Sequence, residues 1–173
     1  ECIFDIETTS LTVGKGQLLC IAFAPYDRDD VLVYWPRSES AIGKLRIRRG
    51  VAHNSPFDKR WLDSYGAQVE VTWDTMFMAH LIDENHPVGL KDLAVRLLGY
   101  PDWADDNVKG FGDEFGKLWK DRHLPPKSKK RVSIYAAKDV HHTRELLRWQ
   151  KKHIRKNLMP GEDPVRVMRD IML

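Results

Sequence analysis

Two acidic residues near the start of the chain have the types and spacing that could bind a divalent cation. Asp5 and Glu7 lie in the run Cys2–Glu7, whose apolar residues predict a β-strand that ends before the polar Thr8 and Thr9. Because side chains two residues apart on a strand point to the same side, both carboxylates should project together. Such a pair is unfavourable unless a cation lies between them or one is protonated, and Mg²⁺ and Mn²⁺ prefer carboxylate oxygens. The alternative is a strand whose two acids simply face water.

A third acid, Asp139, lies among apolar residues in a segment that predicts a long helix. The helix is expected to begin at about Ser128 or Val132 and to end before the break at Met159–Pro164. Since burying a bare carboxylate is costly, Asp139 needs a metal or another partner. The alternatives are an ion pair with a buried Lys or Arg, or a helix edge that is open to water. The predicted buried face comprises Val132, Tyr135, Ala136, Asp139, Val140, Thr143, Leu146, Leu147, Gln150 and Ile154.

A fourth acid, Asp58, lies in the first turn of a predicted helix. Ser55 is the expected N-cap and Pro56 the first helical residue, and Gly66 should end the helix. By itself Asp58 is explained by its favourable interaction with the helix dipole.

The elements that must position these acids predict an α/β fold. Strands are expected at residues 2–7, 18–24 and 31–35, and their short connections favour an antiparallel meander of three strands. This meander should be followed by alternating strands and helices in one mixed sheet with helices packed on it. The later elements are predicted at residues 51–53, 57–65, 69–73, 74–82 and 90–98. Residues 100–126 show no clear pattern beyond a short helix around 111–119, and their role is left open.

The composition is that of one globular domain of 173 residues, with 42% hydrophobic and 31% charged residues. No apolar run reaches the roughly 18–20 residues that cross a bilayer, and no targeting segment is recognisable, so we expect no membrane partner. Cys2 and Cys20 lie in apolar strands, which predicts reduced core residues in a cytoplasmic protein. The net charge is only +3, but basic clusters at 44–49, 127–131 and 148–156 favour a polyanionic partner. A solvated surface explains any one of these clusters equally well.

Three runs of residues resemble, in order, the motifs of the DEDD superfamily of 3′–5′ exonucleases. They are Phe4-Asp5-Ile6-Glu7-Thr8, Asn54-Ser55-Pro56-Phe57-Asp58 and Tyr135-Ala136-Ala137-Lys138-Asp139. Tyr135 matches the tyrosine subtype, whereas the histidine subtype would have His at the position of Ile134. The resemblance extends over residues 2–150, and the compact spacing of the motifs is similar to that in the proofreading domain of phage and bacterial family A (Pol I-like) DNA polymerases. The run at 74–94 is also similar to the middle of these exonuclease domains. It implies an RNase H-like fold.

The resemblance also implies the roles of the site residues. Asp5 would bridge two Mg²⁺ or Mn²⁺ ions, and Glu7 and Asp139 would complete the site of the ion that activates water. Asp58 would support the second ion through its waters. Tyr135 would orient the attacking water, because a hydroxyl with an ordinary pKa near ~10 is a poor general base.

Four further residues are implied on the substrate side. Thr8 would contact the terminal nucleotide through its backbone and hydroxyl, and Leu11 would form an apolar wedge beside the last base. Asn54 would hold the second motif against the end of the first strand. Phe57 is a further candidate, although it is most simply a helix residue that packs on the core.

The implied function is the release of nucleoside 5′-monophosphates, one at a time, from the 3′ end of single-stranded DNA. The expected protein is a monomeric proofreading domain, residues 1–158, in the cytoplasm of a bacterium or of a phage-infected host. Residues 159–173 are expected to form a linker and the start of a C-terminal polymerase domain, because prolines precede apolar residues at helical spacing. The alternatives are a free-standing RNase D-like exoribonuclease and a non-catalytic module of the same fold.

Overall fold

The protein is described here by a computed structural model, which covers residues 1–101, 125–154, 161–163, 166–167 and 170. Its strands are β1 (Cys2–Thr8), β2 (Leu18–Pro25), β3 (Leu32–Tyr34), β4 (Arg46–Ala52) and β5 (Gln68–Asp74). Its helices are α1 (Glu39–Gly43), α2 (Ser55–Ser64), α3 (Thr75–Ile82), α4 (Leu90–Leu93), a π-helical turn (Ala94–Leu98) and α5 (Pro126–His153). The predicted helix at 111–119 and most of the predicted linker lie outside the described residues.

The five strands form one mixed sheet with the order β3-β2-β1-β4-β5. β1 pairs antiparallel with β2, and β2 pairs antiparallel with β3, so the predicted meander is confirmed. β4 runs parallel to both β1 and β5. Because parallel strands point the same way, β1, β4 and β5 have their carboxyl ends at the same end of the sheet, which is also where β2 begins.

β1 is buried on both of its faces. Ile3 belongs to a core cluster with Ala136 and Val140 of α5, whereas Phe4 belongs to a second cluster with Trp61 of α2. Successive side chains of a strand point to opposite faces, so the residues two and four positions after Ile3 point toward α5. This packing directs Asp5 and Glu7 toward the helix that carries Asp139.

β4 begins at Arg46 rather than at Val51, so the predicted strand was too short. Its first half pairs only with β5, because β1 contributes only Cys2 and Ile3 to its ladder with β4. Neighbouring side chains of a strand point to opposite faces, so Arg46 is exposed while Ile47 is buried. The basic cluster at 44–49 therefore lies partly in a strand.

Two polar residues outside the predicted buried face of α5, His142 and Arg144, are also buried. The Arg144 guanidinium donates a hydrogen bond to the carbonyl of Arg28 and forms an ion pair of 3.5 Å with Asp29. These partners lie in the connection between β2 and β3, which the sequence of α5 alone does not reveal.

The predicted helix at 90–98 is confirmed in position, but only α4 is α-helical and the remainder is a π-helical turn. Gly99 follows it with a φ of 71°, a left-handed value that ends the helix at little cost for glycine. In the described ranges, no helix combines the length and the apolar character needed to cross a bilayer.

The start of α2 differs from the prediction, because Asn54 rather than Ser55 occupies the N-cap position. The side-chain acceptor comes from Asp74, at the end of β5. Its carboxylate accepts hydrogen bonds from the backbone N–H groups of Asn54 (3.3 Å) and Ser55 (2.6 Å). It also accepts from Met76 (2.8 Å) and Phe77 (3.2 Å). The sequence allows either Asp74 or Thr75 as the cap of α3, and in the structure the cap is Asp74. One buried carboxylate therefore joins two helix starts.

We expect Asp74→Ala to lower the free energy of unfolding by about 3 kcal/mol, because it leaves one buried and three partly buried N–H groups without this acceptor. For a chain of this length, the melting temperature should fall by about 6–12 °C in thermal denaturation. The control is Asp63→Ala, which removes only an exposed pair with Lys59 and should change stability little. Equal melting temperatures for the two variants would contradict the proposed cap.

Candidate active site

Three of the predicted acids meet between β1 and α5. One carboxylate oxygen each from Asp5, Glu7 and Asp139 lie within 4.8 Å of one another. All three residues are half-buried. Asp5 and Glu7 come together because they are two apart on β1, and Asp139 joins them because α5 packs across this strand. Residues from the two ends of the described chain thus form one cluster.

Asp58 lies beside this cluster and is buried. Its Oδ1 atom accepts a hydrogen bond of 3.2 Å from the backbone N–H of Ile6. The pairing between β1 and β4 ends at Ile3. Beyond this point, the Asp58 carboxylate supplies the hydrogen-bond acceptor for the N–H of Ile6. This contact holds the start of α2 against the carboxyl end of β1, next to Asp5 and Glu7.

Burial and mutual repulsion shift the titration of the acids. Burial, followed by the charges of the other three carboxylates, raises the pKa of Asp5 well above its ordinary value. Burial, followed by the neighbouring carboxylates, raises the pKa of Glu7 to about 8, whereas the Lys91 ammonium opposes this rise. Burial also raises the pKa of Asp58, although the N–H of Ile6 acts against it. Without a cation, the cluster therefore retains protons at neutral pH.

The donor set fits a hard divalent cation. Carboxylate oxygens are the ligands that Mg²⁺ and Mn²⁺ prefer, and a cation between them would relieve the repulsion that raises these pKa values. Asp5, Glu7 and Asp139 offer oxygens close enough to share one ion. Asp58 is held near Asp5 by its hydrogen bond to the backbone, where it could support a second ion.

Tyr135 lies one helical turn before Asp139 and therefore on the same face of α5. Its hydroxyl donates a hydrogen bond to the Asp139 carboxylate. Burial, followed by the charges of Asp139 and Glu7, raises the pKa of Tyr135 above its ordinary range. The hydroxyl is thus a neutral hydrogen-bond donor at the cluster and is unsuited to act as a base.

We expect Tyr135→Phe to slow turnover by about 10- to 100-fold, the range for losing one hydrogen bond to a charged group. Metal affinity should change little, because the variant keeps all four carboxylates. Steady-state rates and calorimetric titration with Mn²⁺ separate the two effects, with Tyr34→Phe on β3 as a control. An unchanged rate would remove the assigned role of this hydroxyl.

Lys91 is a charged residue at the site to which the sequence alone assigned no role. Its ammonium lies 4.8 Å from the centroid of the Tyr135 ring, within the range of a cation–π contact. The same charge lowers the pKa of Glu7. Lys91 lies in the run Gly89–Ala94, whose similarity to family A exonuclease domains was the only signal that could have found it.

The candidates on the substrate side lie at the end of β1, in the loop after it and at the start of α2. Thr8 donates a hydrogen bond of 2.8 Å from its hydroxyl to the carbonyl of Ser10, and Leu11 follows with 87% of its surface exposed. Asn54 is exposed at the start of α2, and Phe57 is half-buried against the core, as expected. Thr8 directly follows Glu7 at the end of β1 and Leu11 lies in the loop after it, and their contact with a substrate stays a prediction.

The comparisons with known proteins agree with this geometry. The sequence profile of a family described as 3′–5′ exonuclease matches residues 2–155. No match was found among curated proteins. Among solved structures, the chain is similar to Brucella melitensis NrnC with bound Mg²⁺, at 19% identity and a TM-score of 0.65, over 90% of this chain and 73% of that chain.

Two further structures are similar to the same extent. One is described as the apo form of the nuclease, at 19% identity and a TM-score of 0.63, over 90% of this chain and 73% of that chain. The other is Brucella melitensis NrnC bound to pGG, at 18% identity and a TM-score of 0.61, with the same coverage. At such low identity, the structural similarity shows only a common fold. It confirms the predicted RNase H-like α/β fold. Because the family profile covers most of its length, the chain belongs to the 3′–5′ exonuclease family.

Proposed function

We propose that this protein hydrolyses the last phosphodiester bond at the 3′ end of single-stranded nucleic acid and releases nucleoside 5′-monophosphates. The observation that carries the proposal is the cluster of Asp5, Glu7 and Asp139, with one oxygen from each within 4.8 Å of the others. The fourth acid, Asp58, lies next to this cluster. A frayed single strand fits such a site, because its end can reach a recessed cluster without the cost of unpairing.

Each of the four acids would have a distinct part in this reaction. Two divalent cations, when bound, would neutralise charge on the attacking and leaving oxygens and make water a better nucleophile. Asp5, whose pKa is raised by the charges of all three other acids, would contribute to both ion sites, and Glu7 and Asp139 would contribute to one of them. Asp58 would serve the other, with its orientation held by the N–H of Ile6.

Tyr135 and Lys91 complete the proposed machinery. Tyr135 would orient the attacking water with its neutral hydroxyl, which is already aligned by Asp139. Lys91 would help to keep Glu7 ionised, because its ammonium favours the charged form of that carboxyl. Thr8 and Leu11 would hold the terminal nucleotide on the segment that follows Glu7.

The setting of this activity has two candidates. The similar structures are described as a nuclease and as NrnC, one of them bound to pGG, which favours a free-standing exonuclease that accepts short RNA. The second candidate is a proofreading domain of a family A polymerase, which is supported by the three motifs and by the run at 74–94. The first is the better supported, and the two settings predict different substrates.

Digestion of 5′-labelled single-stranded DNA, single-stranded RNA and 5′-phosphorylated dinucleotides tests both. Products that shorten from the 3′ end in Mg²⁺ or Mn²⁺, and not in EDTA, are expected, with mononucleotides detected by chromatography. Preference for RNA or dinucleotides would support the free-standing enzyme, and preference for DNA the proofreading domain. Products that shorten from the 5′ end, or activity that persists in EDTA, would contradict the proposed chemistry.

A further inference from the structure

A second concave site lies where β2 begins and β3 ends, and it has no part in the chemistry proposed above. It is a cavity of about 380 Å³, within the range of about 300–1,000 Å³ that small-ligand pockets occupy. We refer to it as the Trp35 pocket. Its lining includes Gln17, Leu18, Trp35, Arg37, Glu39 and Lys129.

Backbone contacts connect one wall of the Trp35 pocket to the segment that follows Glu7. Glu7 pairs with Cys20 across the sheet, and after a shift in register Thr8 pairs with Leu18. The Thr9 N–H donates to the carbonyl of Gln17 at 2.9 Å, and the Gln17 N–H donates to the Thr9 hydroxyl at 2.8 Å. One wall of the pocket is therefore bonded to the residues that directly follow the catalytic Glu7.

The pocket and the acidic cluster share one structural element. Lys129 lies in the first turn of α5, the helix that carries Tyr135 and Asp139 further along.

The chemistry of the lining fits a nucleotide. The Trp35 indole is held by a hydrogen bond of 3.0 Å to the Ser133 hydroxyl, and the Lys129 ammonium lies 4.9 Å from the ring centroid. Arg37 adds a second cation, whereas Glu39 supplies one acid, so the lining residues described here carry one positive charge in excess. Aromatic surface next to cations is what single-stranded nucleic acid uses for its bases and phosphates.

We propose that the Trp35 pocket binds a nucleotide that lies 5′ of the scissile bond, so that the protein grips single strands longer than a dinucleotide. Trp35 contacts the sugar or base, and Lys129 and Arg37 contact its phosphate. This inference rests on the proposed function, because it concerns the strand whose 3′ end reaches the carboxylates. A dinucleotide is too short to use the pocket.

The test compares an octanucleotide with a 5′-phosphorylated dinucleotide as substrates of the full chain. Arg37→Gln combined with Lys129→Gln, and separately Trp35→Ala, should raise KM for the octanucleotide about tenfold, as expected for losing one base or phosphate contact. The value of kcat and all parameters for the dinucleotide should stay within about twofold. Lys130→Gln, an exposed neighbour that does not line the pocket, is the matched control.

A binding measurement separates this proposal from the proposed function. Fluorescence anisotropy of a 5′-labelled octanucleotide with Asp139→Asn protein in Ca²⁺ should show Kd about tenfold higher when the pocket substitutions are added. Unchanged KM and Kd for the octanucleotide would overturn the proposal, as would an equal loss with the dinucleotide. Failure of the unaltered protein to hydrolyse either substrate would refute the proposed function, and the anisotropy comparison would still decide on the pocket.

Discussion

Asp139→Asn is expected to reduce hydrolysis at least about 1,000-fold while the protein stays folded. Asp139 offers an oxygen within 4.8 Å of those of Asp5 and Glu7, so its loss removes one of the three charges that hold a cation there. Metal ions contribute several kcal/mol to stabilising the transition state, and about 4 kcal/mol corresponds to a factor of about 1,000.

The same substitution should stabilise the protein in the absence of metal. Asp139 is one of the charges that raise the pKa of Glu7, so its neutralisation relieves repulsion in the cluster. The amide oxygen of Asn can still accept the hydrogen bond from Tyr135. Loss of activity together with an equal or higher melting temperature in EDTA therefore identifies a functional acid that the fold does not require.

Rates on single-stranded oligonucleotides and thermal denaturation in EDTA provide both readouts. Asp30→Asn is the matched control, because this Asp has a side chain 73% exposed and only a distant ion pair with Arg28. It should leave both values unchanged. Substantial activity of Asp139→Asn would refute the metal site, and a lower melting temperature in EDTA would indicate a structural role for Asp139.

A second large effect is expected in the response of stability to pH and metal. Without metal, the protein should lose stability as the pH rises from 6.5 to 8. The pKa of Glu7 is raised from 4.5 to about 8, so in this interval the folded protein keeps a proton that the unfolded chain has released. The free energy of unfolding then falls with increasing pH. Asp5 and Asp58 shift in the same direction.

Below pH 6.5, His53 changes the pH dependence of stability in the opposite direction. Burial lowers the pKa of His53 from 6.5 to about 4, so this side chain stays neutral in the folded protein while the unfolded chain takes up a proton below pH 6.5. Its contribution to stability is lost as the pH falls through that range. Above pH 6.5 the effect of the carboxylates is no longer masked.

Mg²⁺ or Mn²⁺ should reverse the loss of stability. A cation competes with protons for the carboxylates, so the metal should raise the melting temperature by at least about 5 °C at pH 8 and by less at pH 6.5. Differential scanning fluorimetry at both pH values, with the metal and with EDTA, measures this difference. Asp139→Asn should lose most of the increase, and equal increases at the two pH values would contradict the linkage.

Local patterns in the sequence were sufficient for several parts of this protein. The alternation of β1 placed Asp5 and Glu7 on one side, and helical spacing placed Tyr135 and Asp139 on one face. Turn residues and short connections predicted the meander of β1, β2 and β3, and the cap of α3 was narrowed to Asp74 or Thr75. Each of these inferences depends on residues close together in the chain, where backbone geometry alone sets side-chain direction.

Motif order allowed the four acids to be grouped before their distances were known. It did not reveal that Asp58 bonds to the N–H of Ile6, that Asn54 rather than Ser55 begins α2, or that Lys91 lies over the Tyr135 ring. These contacts join segments that are distant in the chain. No local periodicity encodes them.

The sequence by itself determined which side chains could do chemistry and on which face of its own element each one lies. The tertiary structure decided how far apart they are, what else surrounds them and how strongly their protons are held. The physical reason is that the pKa of Glu7 depends on its burial and on the nearby Asp139, both of which require the packing of α5 across β1. That packing is set by the whole core, whereas the face of a strand or helix is set by its own backbone.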